Sequence, residues 1–261
     1  MYNFDFVKPS TVDEAVAALA DEDAQALGGG QTLIPTLKQR LAMPSKLVSL
    51  KGIDGLDKIF VDRGGNLVIG AAATHAQVAA TTDYPALASL AARIGDPAVR
   101  NRGTIGGSLA NNDPSACYPA GALGSGATIV TNSRSIEADD FFEGLFETAL
   151  EEGEIITEVR FPIPEKACYM KFIQPASRFP LTAVFVAKFA DGVRVAVTGA
   201  SNDGVFRWSD AEAALNTTFE AGSISELSVD ADDMISDIHG SSEYRAHLVK
   251  VMTARAVKAA L

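Results

Sequence analysis

Apolar positions along the chain change period several times, and each change marks an element. Val12, Ala15, Val16 and Leu19 recur at helical spacing behind Thr11-Val12-Asp13-Glu14. That tetrapeptide reads as a capping box, so a short amphipathic helix is predicted to about Asp21. Ala24-Gln25-Ala26-Leu27 is a brief run that reads as a strand, and Leu33, Leu37 and Leu41 return to helical period. Pro35 would fall in the first turn of that helix, where proline is tolerated. Residues 46–50 predict another strand. Ile59-Phe60-Val61 and Leu67-Val68-Ile69, joined by Arg63-Gly64-Gly65-Asn66, predict a hairpin. Thr74 is placed to cap a helix containing Val78, and residues 84–94 predict an alanine-rich helix stopped at Gly95. Residues 127–131 and 135–138 predict a second hairpin. Ile155, Thr157, Val159 and Phe161 alternate with charged residues, as in a half-buried strand.

Pro162 and Pro164 break this texture, and a domain boundary is expected near Glu165-Lys166. Beyond it, residues 169–173, 182–189 and 193–200 predict strands, the last two joined by a tight turn at Asp191-Gly192. Helices are predicted at 210–215 and 242–261. On the second of these Tyr244, Leu248, Val251, Ala254, Val257 and Leu261 mark one face. Sheets followed by helices make the expected class α+β.

With 261 residues, 47% of them hydrophobic, the chain has material for one large domain or two modest ones. The formal net charge of -11 argues against a nucleic-acid partner, which would need a basic face. No stretch approaches the ~20 apolar residues of a membrane helix. The first residues, Met1-Tyr2-Asn3-Phe4-Asp5-Phe6, do not resemble a signal peptide, so a cytoplasmic location is expected. Cys117 and Cys168 are the only cysteines, too few for an iron–sulfur cluster on four thiolates. The three histidines form no zinc motif, and no metal site is expected. The Gly-x-Gly-x-x-Gly fingerprint, the phosphate loop ending in Gly-Lys-Ser/Thr and the Gly-x-Ser-x-Gly elbow are absent. No catalytic side chain is therefore assigned. If the protein is an enzyme, a bound cofactor carries its chemistry.

Two glycine-rich stretches supply the candidate chemistry. One is Gly28-Gly29-Gly30-Gln31-Thr32-Leu33, between a predicted strand and a predicted helix. The other is Arg100-Asn101-Arg102-Gly103-Thr104-Ile105-Gly106-Gly107-Ser108. Glycine permits positive φ and brings no Cβ to block a ligand. Consecutive N–H groups in such a turn make a concavity that suits phosphate oxygens. Either stretch alone fits a simple turn. Together they predict a clamp on the diphosphate of a nucleotide cofactor.

In these residues the chain resembles the FAD-binding (medium) subunit of the molybdenum hydroxylases, the family of carbon monoxide dehydrogenase, xanthine dehydrogenase and aldehyde oxidase. The first stretch continues through Ile34-Pro35 to Lys38-Gln39-Arg40-Leu41-Ala42-Met43-Pro44. The second continues through Leu109-Ala110 and Asn112-Asp113-Pro114 to Pro119-Ala120. Smaller matches are Thr74-His75, Gly153-Glu154-Ile155-Ile156, Lys171 ahead of Ser177-Arg178, and Ser242-Glu243-Tyr244-Arg245. The resemblance implies an FAD-binding domain of the vanillyl-alcohol-oxidase (PCMH) type over residues 1–165. Its subdomains, at about 1–52 and 53–165, would hold FAD between them. An α+β C-terminal domain of the CO dehydrogenase flavoprotein type would cover residues 166–261. Gly29, Gly30, Gln31, Thr32 and Leu33, with Thr104, Ile105, Gly106, Gly107 and Ser108, would hold the FAD pyrophosphate, and Gly28, Gly103 and Asp113 are counted with them as cofactor-binding residues. Ile156 and Lys171 match positions near the rest of the flavin, on the resemblance alone.

The resemblance also implies partners: a [2Fe-2S] small subunit and a molybdenum-cofactor (molybdopterin) large subunit, in a heterotrimer or its dimer. This chain would take electrons from the cluster and pass them through FAD to an external acceptor. One position departs from the pattern. Many members carry an aspartate that contacts the adenosine ribose where this chain has Cys117. A thiol accepts hydrogen bonds poorly, so that contact is expected to weaken or to move to Asp113 or Ser115. The plain reading of Cys117 is a small buried residue. Two rival readings remain: a stand-alone flavoprotein oxidoreductase, and a non-catalytic subunit that has lost FAD.

Overall fold

The computed structural model describes residues 1–260 and is built on three main sheets. The first is parallel and three-stranded, in the order Asp5–Val7, Lys46–Ser49, Ala24–Leu27. Helices Val12–Leu19 and Leu33–Lys38 make the crossovers. Thr11 caps the first of these by accepting from Glu14 N at 3.2 Å. The Glu14 carboxylate, however, reaches back to the N–H of Ser10 rather than Thr11, at 2.7 Å. The predicted box is thus half formed, displaced by one residue.

The second sheet is antiparallel and five-stranded: Ile59–Val61, Asn66–Gly70, Ile156–Pro162, Thr128–Thr131, Ser135–Glu137. Both predicted hairpins are present, and the alternating strand joins them at the centre. Between Gly70 and Thr128 the chain leaves the sheet for a run of short helices: His75–Ala79, Pro85–Ala92, Pro97–Arg100, Ile105–Asn111 and Tyr118–Ser125. Thr74 caps the first in a reciprocal box with Gln77. Asn112 ends the helix Ile105–Asn111 in the left-handed region, φ 38°, and its amide donates to Gly144 O and Glu147 O at 2.8 Å each.

The third sheet is an antiparallel meander of Lys166–Ile173, Pro180–Lys188, Val193–Ser201 and Gly204–Arg207, the last of which the hydropathy pattern does not reveal. Its strand Pro180–Lys188 is buried on both faces. Ala183, Phe185 and Ala187 complete the core of the helical run, while Val184 and Val186 pack under the final helix, Ser242–Ala260. One core therefore crosses the connection at residues 163–165.

The final helix is rotated relative to its sequence-predicted face. Tyr244 is exposed, and Val251 and Ala254 are half-buried; Leu261 lies outside the described residues. The buried face runs through Arg245, Leu248, Val249, Met252, Ala256 and Val257. Hydropathy misses it because Arg245 is a buried anchor. Its guanidinium donates to Leu181 O at 2.7 Å, Gly199 O at 2.6 Å and Asp237 Oδ2 at 2.8 Å. From the same strand Gly199 N donates to Pro114 O at 2.9 Å. Thr198 Oγ1 donates to Pro114 O and Ala116 O at 3.1 and 2.8 Å. The third sheet thereby holds the turn at residues 113–117 against the rest of the fold.

Two stability predictions follow from these bonds. Thr198→Val keeps the shape and deletes both hydroxyl bonds, so urea unfolding should show a loss of about 1–3 kcal/mol. Glu154 accepts from Thr131, Ser133 and Arg134 side chains and from Glu151 N, and these bonds, with the Arg134 guanidinium foremost, lower its pKa to about 2. A carboxylate depressed on folding stabilises fully above the ordinary range and loses that contribution as pH falls from ~4.5 toward 2. Glu154→Gln should therefore lose roughly 1–3 kcal/mol at pH 7, with the gap to the parent closing near pH 2. A gap independent of pH would refute the assignment.

Candidate functional site

The two glycine stretches meet. A Cβ at Gly28 would lie 2.9 Å from Thr104 Oγ1 and 3.9 Å from Gly107 Cα. One at Gly29 would run into Arg102 O and lie 2.5 Å from Gly103 Cα. Bare main chain on both sides is what lets the first sheet's loop press against the loop of the helical run. Along this seam opens a cavity of about 1030 Å³, at the upper bound of ligand clefts.

The two loops contribute differently. From residue 28 to residue 33, no backbone N–H donates to a main-chain or side-chain acceptor among the described residues. No side chain caps the helix beginning at Leu33. Gly30 takes φ +72°, which turns the loop back on itself. This is a row of free donors at a helix start, the arrangement that attracts anions.

The second loop offers fewer free donors than the first: Gly103 N goes to Val99 O at 2.8 Å, Ile105 N to Ala73 O at 3.1 Å, Gly106 N to Ala71 O at 2.9 Å, Gly107 N to Thr104 Oγ1 at 3.2 Å and Ser108 N to Thr104 O at 3.0 Å, while Thr104 N has no partner among the described residues. Its glycines serve close packing. A Cβ at Gly106 would sit 2.6 Å from Ala71 Cβ, and one at Gly103 would sit 2.5 Å from His75 Nε2. Ile105 differs from its neighbours in the loop. Its side chain is fully buried in the core, and it does not line the cavity.

The other expected residues do line it: Gly28, Gly29, Gly30, Gln31, Thr32 and Leu33 on one side, Gly103, Thr104, Gly106, Gly107 and Ser108 on the other, with Asp113, Ile156 and Lys171. Asp113 Oδ1 accepts from Ser115 N at 2.8 Å, closing the turn that the third sheet holds. Lys171 is 9% exposed, and its Nζ donates to Arg93 O at 2.9 Å. The same Nζ lies 3.5 Å from Cys117 Sγ. Cys117 is the small buried residue expected and lies on the cavity wall beside that lysine.

The strip Ser177-Arg178-Phe179-Pro180 also lines the cavity; the sequence offers Ser177-Arg178 only as a family match and gives the strip no site role. Ser177 and Arg178 both take positive φ, 52° and 62°, a conformation no hydropathy pattern signals in non-glycine residues. His75 entered the sequence reading only in the family match Thr74-His75, with no site role assigned. It lines the cavity, its Nδ1 is buried without a partner, and burial, with Arg100 nearby, holds its pKa down to about 4, so it is neutral at pH 7. No group of three or more His, Cys, Asp or Glu among the described residues is placed to hold a metal ion. Among the same residues no helix is long and apolar enough to cross a membrane.

Comparison with known proteins agrees with this geometry. Residues 2–164 match the family model described as the FAD binding domain in molybdopterin dehydrogenase. The chain is 35% identical to the nicotine 6-hydroxylase medium subunit of Paenarthrobacter nicotinovorans, over 97% of this chain and 95% of that one. It is 31% identical to the carbon monoxide dehydrogenase medium chain of Afipia carboxidovorans, over 99% and 96%. Among solved structures it superposes on carbon monoxide dehydrogenase from Hydrogenophaga pseudoflava with a TM-score of 0.89, at 32% identity over 99% of this chain and 97% of that chain. Quinoline 2-oxidoreductase from Pseudomonas putida 86 gives the same TM-score, 0.89, at 30% identity over 99% and 97%. The likeness runs through the FAD-binding region and the C-terminal α+β region alike. The chain belongs to the FAD-binding medium subunits of the molybdenum hydroxylases, the oxidoreductase family of carbon monoxide dehydrogenase, nicotine hydroxylase and xanthine dehydrogenase.

Proposed function

We propose that this chain is the electron-collecting flavoprotein of a three-subunit hydroxylase. It would take single electrons from a [2Fe-2S] partner and deliver them through FAD to an external acceptor. A third chain with the molybdenum cofactor would act on the substrate. The observation that carries the reading is the row of free N–H groups at residues 28–33, facing a cavity sealed by the second glycine loop.

The residues present fit FAD. The free donors of Gly28, Gly29, Gly30, Gln31, Thr32 and Leu33 would hold the pyrophosphate oxygens, with no lysine or arginine required. Thr104, Gly107 and Ser108 would form the opposite wall, with Gly103 and Gly106 keeping the backbone close behind it. Asp113 and Ile156 would flank the nucleoside and ring portions, and Lys171 would meet an electron-rich edge. Bound FAD supplies exchange of electrons singly or in pairs; the protein's part is to bind, orient and exclude water. No nucleophile or metal is needed in this chain for that part.

A subunit role also suits the surface. Leu41 and Met43 are 74% and 67% exposed beside Arg40, which lies over the Tyr2 ring, and they would give a partner chain an apolar foothold. Cysteines left unpaired fit a reducing, cytoplasmic compartment.

The purified chain is expected to be yellow, with flavin absorption bands and one FAD per chain. It should co-purify with a cluster-bearing chain and a molybdopterin chain. A colourless chain that takes up no added FAD would overturn the reading, and a yellow chain that never associates would favour a stand-alone flavoprotein. Gly29→Ala should drive a methyl into Arg102 O and pry the seam open. FAD affinity measured by fluorescence titration should then fall at least ~10-fold, or ~1.4 kcal/mol, with helical content unchanged. Undiminished affinity would remove the seam from the binding site.

A further inference from the structure

Lys171 brings a positive charge to the cavity wall that the fold does not neutralise. It is buried, and it takes part in none of the ion pairs among the described residues. The other deeply buried cation, Arg245, faces Asp237 at 2.8 Å. The neighbours of Lys171 Nζ are a carbonyl, Arg93 O at 2.9 Å, and a thiol, Cys117 Sγ at 3.5 Å. The carboxylates on the cavity wall are engaged elsewhere, Asp113 with Ser115 N and Glu154 with Arg134. Arg178, an exposed residue, lines the same cavity and likewise joins no ion pair among the described residues. A buried charge without a partner is strongly unfavourable, so this wall calls for an anion that arrives with the ligand.

The cavity lining is polar here and apolar elsewhere. Asp113, Ser115, Cys117 and Lys171 stand where the third sheet meets the turn it supports, whereas Ala71 and Ile156 line the cavity beside the second sheet. On the reading that the cavity holds FAD, the diphosphate lies against residues 28–33, and a ribose, rich in hydroxyls, suits the polar wall. Position 117 is also where the sequence pattern expects the adenosine ribose. Dinucleotide sites read that sugar by charge: a carboxylate takes the free hydroxyls, and a cation accommodates a phosphate on them. This chain has the cation and lacks the carboxylate. We propose that Cys117 and Lys171 form a ribose-phosphate subsite, so that the cavity takes adenosine nucleotides phosphorylated on the ribose, in competition with FAD.

Two walls divide the work. The free N–H groups of residues 28–33 hold the phosphates linked through the 5′ position. The Lys171 ammonium has three donors and gives one to Arg93 O, and a phosphate oxygen is a far stronger acceptor for the others than a thiol is. Cys117 sets the preference by what it lacks. An aspartate there would pair with Lys171 and turn the wall toward bare hydroxyls, whereas a thiol leaves the ammonium open to the ligand. Arg178 offers a second cation within the same cavity. The subsite binds reversibly, and no bond to the nucleotide forms or breaks.

The test follows FAD uptake by the flavin-free full-length chain through flavin fluorescence, against three competitors: AMP, adenosine 2′,5′-bisphosphate and adenosine 3′,5′-bisphosphate. The bisphosphates differ from AMP only by a phosphate on one ribose hydroxyl. At least one of them should compete at a concentration ~10-fold or more below that of AMP, the size of one charge-assisted hydrogen bond, and the isomer that does so identifies the hydroxyl. Cys117→Asp and Lys171→Met should each abolish that advantage, and Cys117→Ser should keep it. Should Cys117→Asp fail to fold, Lys171→Met against the parent decides. A parent chain that binds FAD but takes neither bisphosphate better than AMP overturns the proposal and leaves FAD binding standing. An advantage that survives in Lys171→Met overturns it as well. A parent chain that takes up no FAD overturns the cofactor reading and the proposal together.

Discussion

The contact between two stretches of bare backbone governs this structure. Gly28 and Gly29 lie so close to Arg102, Gly103 and Thr104 that no side chain fits between them. That closeness joins the small parallel sheet to the helical run, and it makes the free N–H groups of residues 28–33 one wall of a cavity rather than part of an open surface. Donors left in open solvent would simply be hydrated. Donors in a partly closed cleft keep their dipoles aimed at a common point and hold an anion with little reorganisation.

The second glycine loop takes the structural half of that arrangement. Its donors bind Ala71, Ala73 and Thr104, and its missing side chains make room for Ala71 and His75. Rigidity on one side is what allows unsatisfied donors on the other. The third sheet adds a second support from behind. Arg245 fastens Gly199 and Leu181, and Thr198 and Gly199 fasten Pro114 and Ala116. The chain of contacts thus runs from the last helix to the cavity wall at Cys117. A region with no ligand-facing motif of its own shapes the site through main-chain carbonyls.

Much of this was legible in the sequence because local signals and tertiary structure agree there. The capping residues Thr11 and Thr74 and the two hairpins appear where turn chemistry and period place them. The cavity-lining residues of the first loop were legible for the same reason. The second loop was harder, since glycine marks both an exposed donor and a close approach, and only the partners of each N–H tell the two apart. Ile105 was carried into the site by its neighbours, although its own apolar side chain belongs to the core. Arg245 misled in the opposite sense, because hydropathy assigns a charged residue to solvent and so rotates the predicted face of its helix. The contact between Lys171 and Cys117 spans 54 positions and joins a helix start to the third sheet, so no local pattern could announce it.

The charge balance explains why the free backbone donors matter. The chain carries a net charge of -11, an unpromising background for a doubly anionic diphosphate. Backbone donors resolve this, because they attract the phosphates at close range without positive side chains, and the enclosing walls limit screening by salt. On the proposed reading, diphosphate binding then requires no lysine or arginine.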